Sequence, residues 1–109
     1  MAKTITFKYE DKEYTLEFTR KSIEKMEQQG FKVSEIENKP VSTLPKLFNG
    51  AFLAHHPFVK RELTDEIFSK MTNKEELLAK LAEMYSEPIV SLMEDPEVNE
   101  GNVSWGASW

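Results

Sequence analysis

His55 and His56 are the only histidines in the chain, and as a pair they are the first residues to weigh for metal or acid–base chemistry. Neighbouring side chains on a helix point about 100° apart, so the pair cannot close on one ion as histidines at i and i+4 do. His55 is expected to extend an apolar stripe and His56 to face outward. Asp95, Glu97 and Asn99 keep the one-three-five rhythm of a calcium loop. Such a loop needs glycine sixth and a bidentate glutamate twelfth, and here those positions hold Glu100 and Gly106. Asp65-Glu66 and Glu75-Glu76 fall in the first turns of predicted helices, where carboxylates favour the helix dipole. The chain has no cysteine, no phosphate-cradling glycine loop, no nucleophile elbow and no HExxH. A non-catalytic protein without metal or cofactor is therefore expected.

The residues best suited to recognition lie in the final stretch, EVNEGNVSWGASW, which carries both tryptophans of the chain. Flexible termini are depleted in aromatics, and tryptophan is strongly enriched at binding hot spots. Three readings are open: Trp105 and Trp109 contact a partner, they dock on the domain's own surface, or a sheet edge takes Asn102 to Trp105 as an added strand. Val103 shares a face with Trp105 if that piece is extended. Gly101 and Gly106 let the chain turn between the anchors.

The elements that must position these residues are ordered around Val41 to Pro57. There Leu44, Leu47, Phe48, Ala51, Phe52 and His55 form one stripe at helical spacing, predicting a central core helix. Ser42 or Thr43 is expected to cap it, with Pro45 in its first turn and Pro57 as its stop. Gly50 inside it predicts close approach by another backbone. Before it, Ile5, Phe7 and Tyr9 alternate with polar residues, as do Tyr14, Leu16 and Phe18, predicting a hairpin that turns at Asp11-Lys12 and leaves both edges open to a third strand. Thr19 is placed to cap a helix from Arg20 to Gln29, closed by Gly30 with Phe31 folding back on Met26. Phe31 to Pro40 reads as an irregular connection with one helical turn at most.

Beyond the central helix, Phe58 and Val59 are expected to plug the core from a loop, and Thr64 to cap a helix carrying Ile67, Phe68 and Met71. Asn73 and Glu76 have capping-box spacing at the head of the longest helix. Leu77, Leu78, Leu81, Ala82, Tyr85, Ile89, Leu92 and Met93 keep its stripe across Pro88, where a kink or break is expected. The fold class is thus α+β and mostly helical: an amino-terminal β-hairpin packed on a bundle of about four helices, one domain over 1–95, with a flexible aromatic tail over 96–109. Self-association is expected through the hairpin edge or the face near Phe58 and Val59.

Composition narrows the partners. The net charge of -5 argues against nucleic acid, whose binders neutralise phosphates with lysine and arginine. Hydrophobic content of 39%, with no apolar run near the roughly 18 residues a membrane span requires, argues against insertion in a bilayer. MAKTITFKYEDKE lacks the apolar centre of a signal peptide, so a cytoplasmic protein is expected.

Taken together, the hairpin, the FTRKSIEKMEQQG helix and its glycine stop, the proline-led TLPKLFNGAFLAHHP stretch, the long NKEELLAKLAEMYSEPIVSLME helix and the GNVSWGASW finish have a recognisable layout. Over essentially the full chain it resembles the small tail assembly chaperones of long-tailed phages and prophages of Gram-positive bacteria. That resemblance implies a non-catalytic protein that binds the tape-measure protein, recruits tail tube protein and is absent from the finished virion. Val103, Trp105, Trp109, Phe58 and Val59 are the candidate partner-binding residues. The alternative is a small virion structural or head–tail connector protein, or a host adaptor domain.

Overall fold

Strands β1 (Ile5–Tyr9) and β2 (Lys12–Leu16) pair antiparallel in the register Ile5 to Leu16, Phe7 to Tyr14 and Tyr9 to Lys12. The computed structural model describes residues 3–94, Val103 and residues 106–108. The register puts the two-residue turn at Glu10-Asp11, one position before the expected Asp11-Lys12. Both turn residues have positive φ, 51° and 67°, the backbone of a type I′ turn, which matches the twist of the flanking strands. The expected faces hold: Tyr14, Leu16 and Phe18 are buried, and Ile5, Phe7 and Tyr9 pack half-buried against the same core.

Helix α1 (Arg20–Gln28) opens with a capping box in which the Thr19 hydroxyl accepts the Ser22 N–H and the Ser22 hydroxyl accepts the Thr19 N–H. It closes in a Schellman motif: Gly30 has φ 94°, its N–H reaches the Glu27 carbonyl at 3.0 Å, and the Phe31 N–H reaches Met26 at 3.0 Å. The connection that follows contains one 3-10 turn, Val33–Glu35.

The central helix, α2 (Pro40–Gly50), is shorter than its apolar stripe. It begins at Pro40 rather than at Ser42 or Thr43, because a proline at the first helical position gives up only an N–H that has no intrahelical partner. Thr43 is instead buried, its hydroxyl directed at the Glu35 carbonyl at 3.4 Å. The helix ends at Gly50 and continues as tight turns, with Phe52 N–H on Asn49, Leu53 N–H on Gly50 and His56 N–H on Phe52. A competing bond accompanies this change: the Ala51 carbonyl leaves the helical ladder to accept the Glu17 N–H at 2.9 Å, at the end of β2. Ala51 and Phe52 remain fully buried, so the stripe still reaches the core after the helix has stopped.

A Cβ on Gly50 would lie 2.3 Å from Met26 Cε and 2.4 Å from Sδ. The close neighbour is thus a side chain of α1, not the backbone that the glycine suggested.

Helix α3 (Arg61–Lys70) starts three residues before Thr64. Arg61 pairs with Asp65 at 2.8 Å across its first turn, and Thr64 is fully buried with its hydroxyl between the Arg61 carbonyl and Asn49 Nδ2, at 3.1 and 2.9 Å. A hydroxyl satisfied inside the helix has no need of the cap position. Helix α4 (Lys74–Met93) runs unbroken through Pro88. It is held on both sides of the proline, by buried Leu81, Met84 and Tyr85 before it and by the Arg20 Nη2 to Ser91 Oγ bond of 2.9 Å after it. Asn73 precedes α4 in the left-handed region, and its amide meets the Glu76 carboxylate rather than a backbone N–H.

Among the described residues the fold is α+β, a hairpin on four α-helices. Its core is aromatic in two knots. Phe48 and Phe52 stand 5.2 Å apart and join Phe7, Tyr14 and Phe68, while Phe18 and Phe31 meet Tyr85 edge-on at 5.3 and 5.6 Å. Such edge-to-face contacts suit the ring quadrupoles and add to the area they bury.

Candidate docking surface

The histidine pair resolves in the reverse sense to the helical reading, because residues 51–55 form turns and not a continued helix. His55 is the exposed member and meets Glu17 at 2.7 Å. His56 turns inward against Tyr14 and Phe52, with ring centroids at 5.1 and 6.3 Å, and its Nε2 accepts the Thr15 N–H at 3.1 Å. Accepting that bond requires an unprotonated Nε2. Burial, followed by the nearby Lys12 and His55, pushes the His56 pKa down and so favours that state. Among the described residues no three of His, Asp and Glu gather where they could hold a metal ion.

Phe58 and Val59 divide. Val59 packs half-buried against the core, as expected of a plug, but Phe58 is 94% exposed and plugs nothing. Val103 is 89% exposed. Trp105, Trp109 and the Asp95-Glu97-Asn99 rhythm lie outside the described residues, as does most of the tail expected over 96–109.

The larger apolar surface lies at the end of α4. The stripe read from Leu77 to Met93 is buried only as far as Tyr85, where the core ends. Its continuation stands in solvent, with Leu92 60% and Met93 80% exposed and Ile89 and Val90 beside them. A shallow groove of 480 Å³ runs between this end and α1, with Ile23, Pro88, Ile89 and Leu92 as its apolar wall and Arg20 and Glu24 on its rim. A neighbouring groove of 710 Å³ is mixed, lined by Phe18, Met84 and Val90 together with Lys3 and its ion pairs to Glu83 at 2.5 Å and Glu87 at 3.5 Å. The Glu83 bond raises the Lys3 pKa, and Lys3 lowers that of Glu83, so both stay charged at neutral pH. These pairs tie the start of β1 to α4 and leave the apolar end uncovered by the described residues.

Sequence periodicity found Ile89, Leu92 and Met93 but assigned them to the core. Length is the one hint of the two fates: α4 spans 20 residues, whereas α1, α2 and α3 span 9, 11 and 10, so its last two turns outrun the core and meet only the edge of α1 through Arg20 and Ile23. Among the described residues no helix is long and apolar enough to cross a membrane. The exposed end of α4 is aliphatic, helical and rimmed by charge, features that protein-docking surfaces share.

No curated protein and no solved structure matches the chain. A family defined as a domain of unknown function, DUF5055, matches all of residues 1–109, and the chain belongs to that family.

Proposed function

We propose that this protein is a non-catalytic tail assembly chaperone of a phage or prophage, acting in the host cytoplasm to bind the tape-measure protein and recruit tail tube protein. The observation that carries this reading is the apolar stripe of α4, which outruns the core and leaves Ile89, Val90, Leu92 and Met93 exposed. A long helical client needs its own apolar seam shielded before assembly, and an amphipathic helix end with a shallow apolar groove beside it is suited to that task. Exposed Phe58 and the tail with Val103, Trp105 and Trp109 supply further weak contacts. Several weak contacts on one chain hold a client while still allowing its release.

The resemblance in size, element order and aromatic finish supports the same reading. Co-expression with a tape-measure protein from the same gene cluster tests it: the tape measure is expected to remain soluble and to co-purify with this chain, while purified particles lack it. A chain that is found in purified particles would instead be a structural or connector protein.

A further inference from the structure

The hairpin has two outer edges, and the structure treats them differently. With a two-residue loop, Tyr9 and Lys12 form a hydrogen-bonded pair, and alternation along the ladder makes Phe7–Tyr14 and Ile5–Leu16 hydrogen-bonded pairs as well. The main-chain groups of Thr6 and Lys8 on β1, and of Glu13 and Thr15 on β2, therefore point away from the hairpin. On β2 that outer edge is taken in part. The Thr15 N–H is taken by His56 Nε2 at 3.1 Å, and two residues on the Glu17 N–H is taken by the Ala51 carbonyl at 2.9 Å. On β1, no described residue outside the hairpin bonds to the main chain of Thr6 or Lys8.

Beside β1 lies a groove of 680 Å³ whose floor is Ile5, Leu77 and Met84 and whose rim is Thr4, Glu76 and Lys80. A strand added at β1 would form main-chain bonds along the edge and drop alternate side chains into this groove. We propose that the added strand is β1 of a second copy, paired antiparallel, so that two hairpins form one four-stranded sheet.

Three observations select that occupant. First, β1 has the required period: Ile5 and Phe7 are apolar, half-buried and spaced by two, so antiparallel pairing about Thr6 sets Ile5 of each copy beside Phe7 of the other on the face that already meets the core. Second, the charges fit one orientation. Antiparallel pairing about Thr6 sets Lys8 against Thr4, whereas parallel pairing in register sets Lys8 against Lys8, and like charges placed opposite each other are destabilising. Third, the Thr15 and Glu17 N–H groups on the β2 side are already taken, so β1 is the freer edge of each chain, and pairing β1 with β1 about one axis closes into a twofold dimer. Val103, in the stretch expected as an added strand, stands 89% exposed and so does not itself fill the groove. The usual guards of a free edge, a proline or a row of charges, are absent from Thr4, Thr6 and Lys8 apart from the one lysine.

This inference does not depend on the chaperone reading, and its test needs no client. Sedimentation velocity of the full chain from micromolar to millimolar concentration is expected to show a monomer–dimer equilibrium. Thr6→Pro removes an outward N–H that the hairpin does not use, and it should leave the chain monomeric with an unchanged circular dichroism spectrum. Should Thr6→Pro unfold the hairpin, the double variant Thr4→Lys/Thr6→Lys keeps every ladder bond and sets lysines against lysines; it too should be monomeric. Trp105→Ala should remain dimeric. A wild-type chain that is monomeric throughout, a folded edge variant that still dimerises, or a dimer abolished by Trp105→Ala overturns the proposal.

Discussion

The imidazole of His56 caps the edge of β2 by accepting the Thr15 N–H at 3.1 Å. A histidine bonded in this way is a structural acceptor as long as it is neutral. Protonation turns the acceptor into a donor and sets it against an N–H.

Stability should therefore fall in mild acid. Burial, Lys12 and His55 hold the folded pKa of His56 below its ordinary value, so the unfolded chain takes up the proton first as the pH drops. Where the unfolded state binds more protons, stability rises with pH. The contribution is present above about pH 6.5 and is lost as the pH falls from there through the depressed folded value. Thermal melts across this window should show the loss, and His56→Gln, which keeps an acceptor that does not titrate, should reduce the slope. An unchanged slope in that variant would remove His56 from the account.

The hairpin turn offers a stabilising substitution. Asp11 has φ 67° without being glycine, and an L-residue there is strained by roughly 1 kcal/mol. Asp11→Gly should raise the unfolding free energy by about 0.5 to 1 kcal/mol, seen as a higher denaturant midpoint, with some of the gain offset by greater freedom in the unfolded chain. A lowered midpoint would mean that the aspartate side chain supports the turn.

Phe48 is the test of the core. It is fully buried, between Phe52 at 5.2 Å and Phe68 at 5.0 Å. Phe48→Ala should cost about 3 to 5 kcal/mol, a large share of a small domain's stability, while exposed Lys46→Ala should change it by about 0.5 kcal/mol or less. Equal shifts in denaturant midpoint would refute this division into buried and exposed faces.

What the sequence could and could not convey follows from the range of each signal. The hairpin faces, the Thr19 cap and the Gly30 close depend on residues a few positions apart, and all three stand as read. The end of α2 does not: it coincides with a bond from Ala51 to Glu17, far off in sequence, and no periodicity reports such a partner. From that one misplacement came the reversal of His55 and His56. Thr64 departs from expectation for a related reason: a threonine before an apolar run suggests a cap, and only the contact with Asn49 shows how its hydroxyl can be buried. Periodicity likewise identifies the apolar face of α4 without saying where the core ends, so the exposed Ile89, Leu92 and Met93 could not be told from buried Leu81.

The tail yields a prediction that bears on binding alone. Ordering a terminal segment costs roughly 1 to 2 kcal/mol per residue, so a few residues must supply large apolar gains. Each indole can bury about 150 to 250 Å², worth roughly 4 to 6 kcal/mol before losses. Trp105→Ala/Trp109→Ala should leave the melting temperature of the isolated protein unchanged and weaken its co-purification with tape-measure protein. A substantial drop in melting temperature would place the tryptophans on the domain's own surface.

The end of α4 separates docking from folding most directly. Leu81 is fully buried and Leu92 is 60% exposed, although both belong to the same stripe of the same helix. Replacing Leu81 with alanine removes side-chain volume from a packed interior and should cost about 2 to 5 kcal/mol. Leu92→Glu places a charge where water already reaches, and a surface change of that kind costs about 0.5 kcal/mol or less. For the client the order reverses. A carboxylate in an apolar docking face must be desolvated without a partner when the client helix seats, which strongly disfavours binding. Leu92→Glu, alone or with Met93→Glu, should therefore melt like the wild-type protein and yet fail to keep co-expressed tape-measure protein soluble. If these variants instead melted as early as Leu81→Ala, the last turns of α4 would be part of the core, and the exposed stripe would lose its claim to be the docking surface.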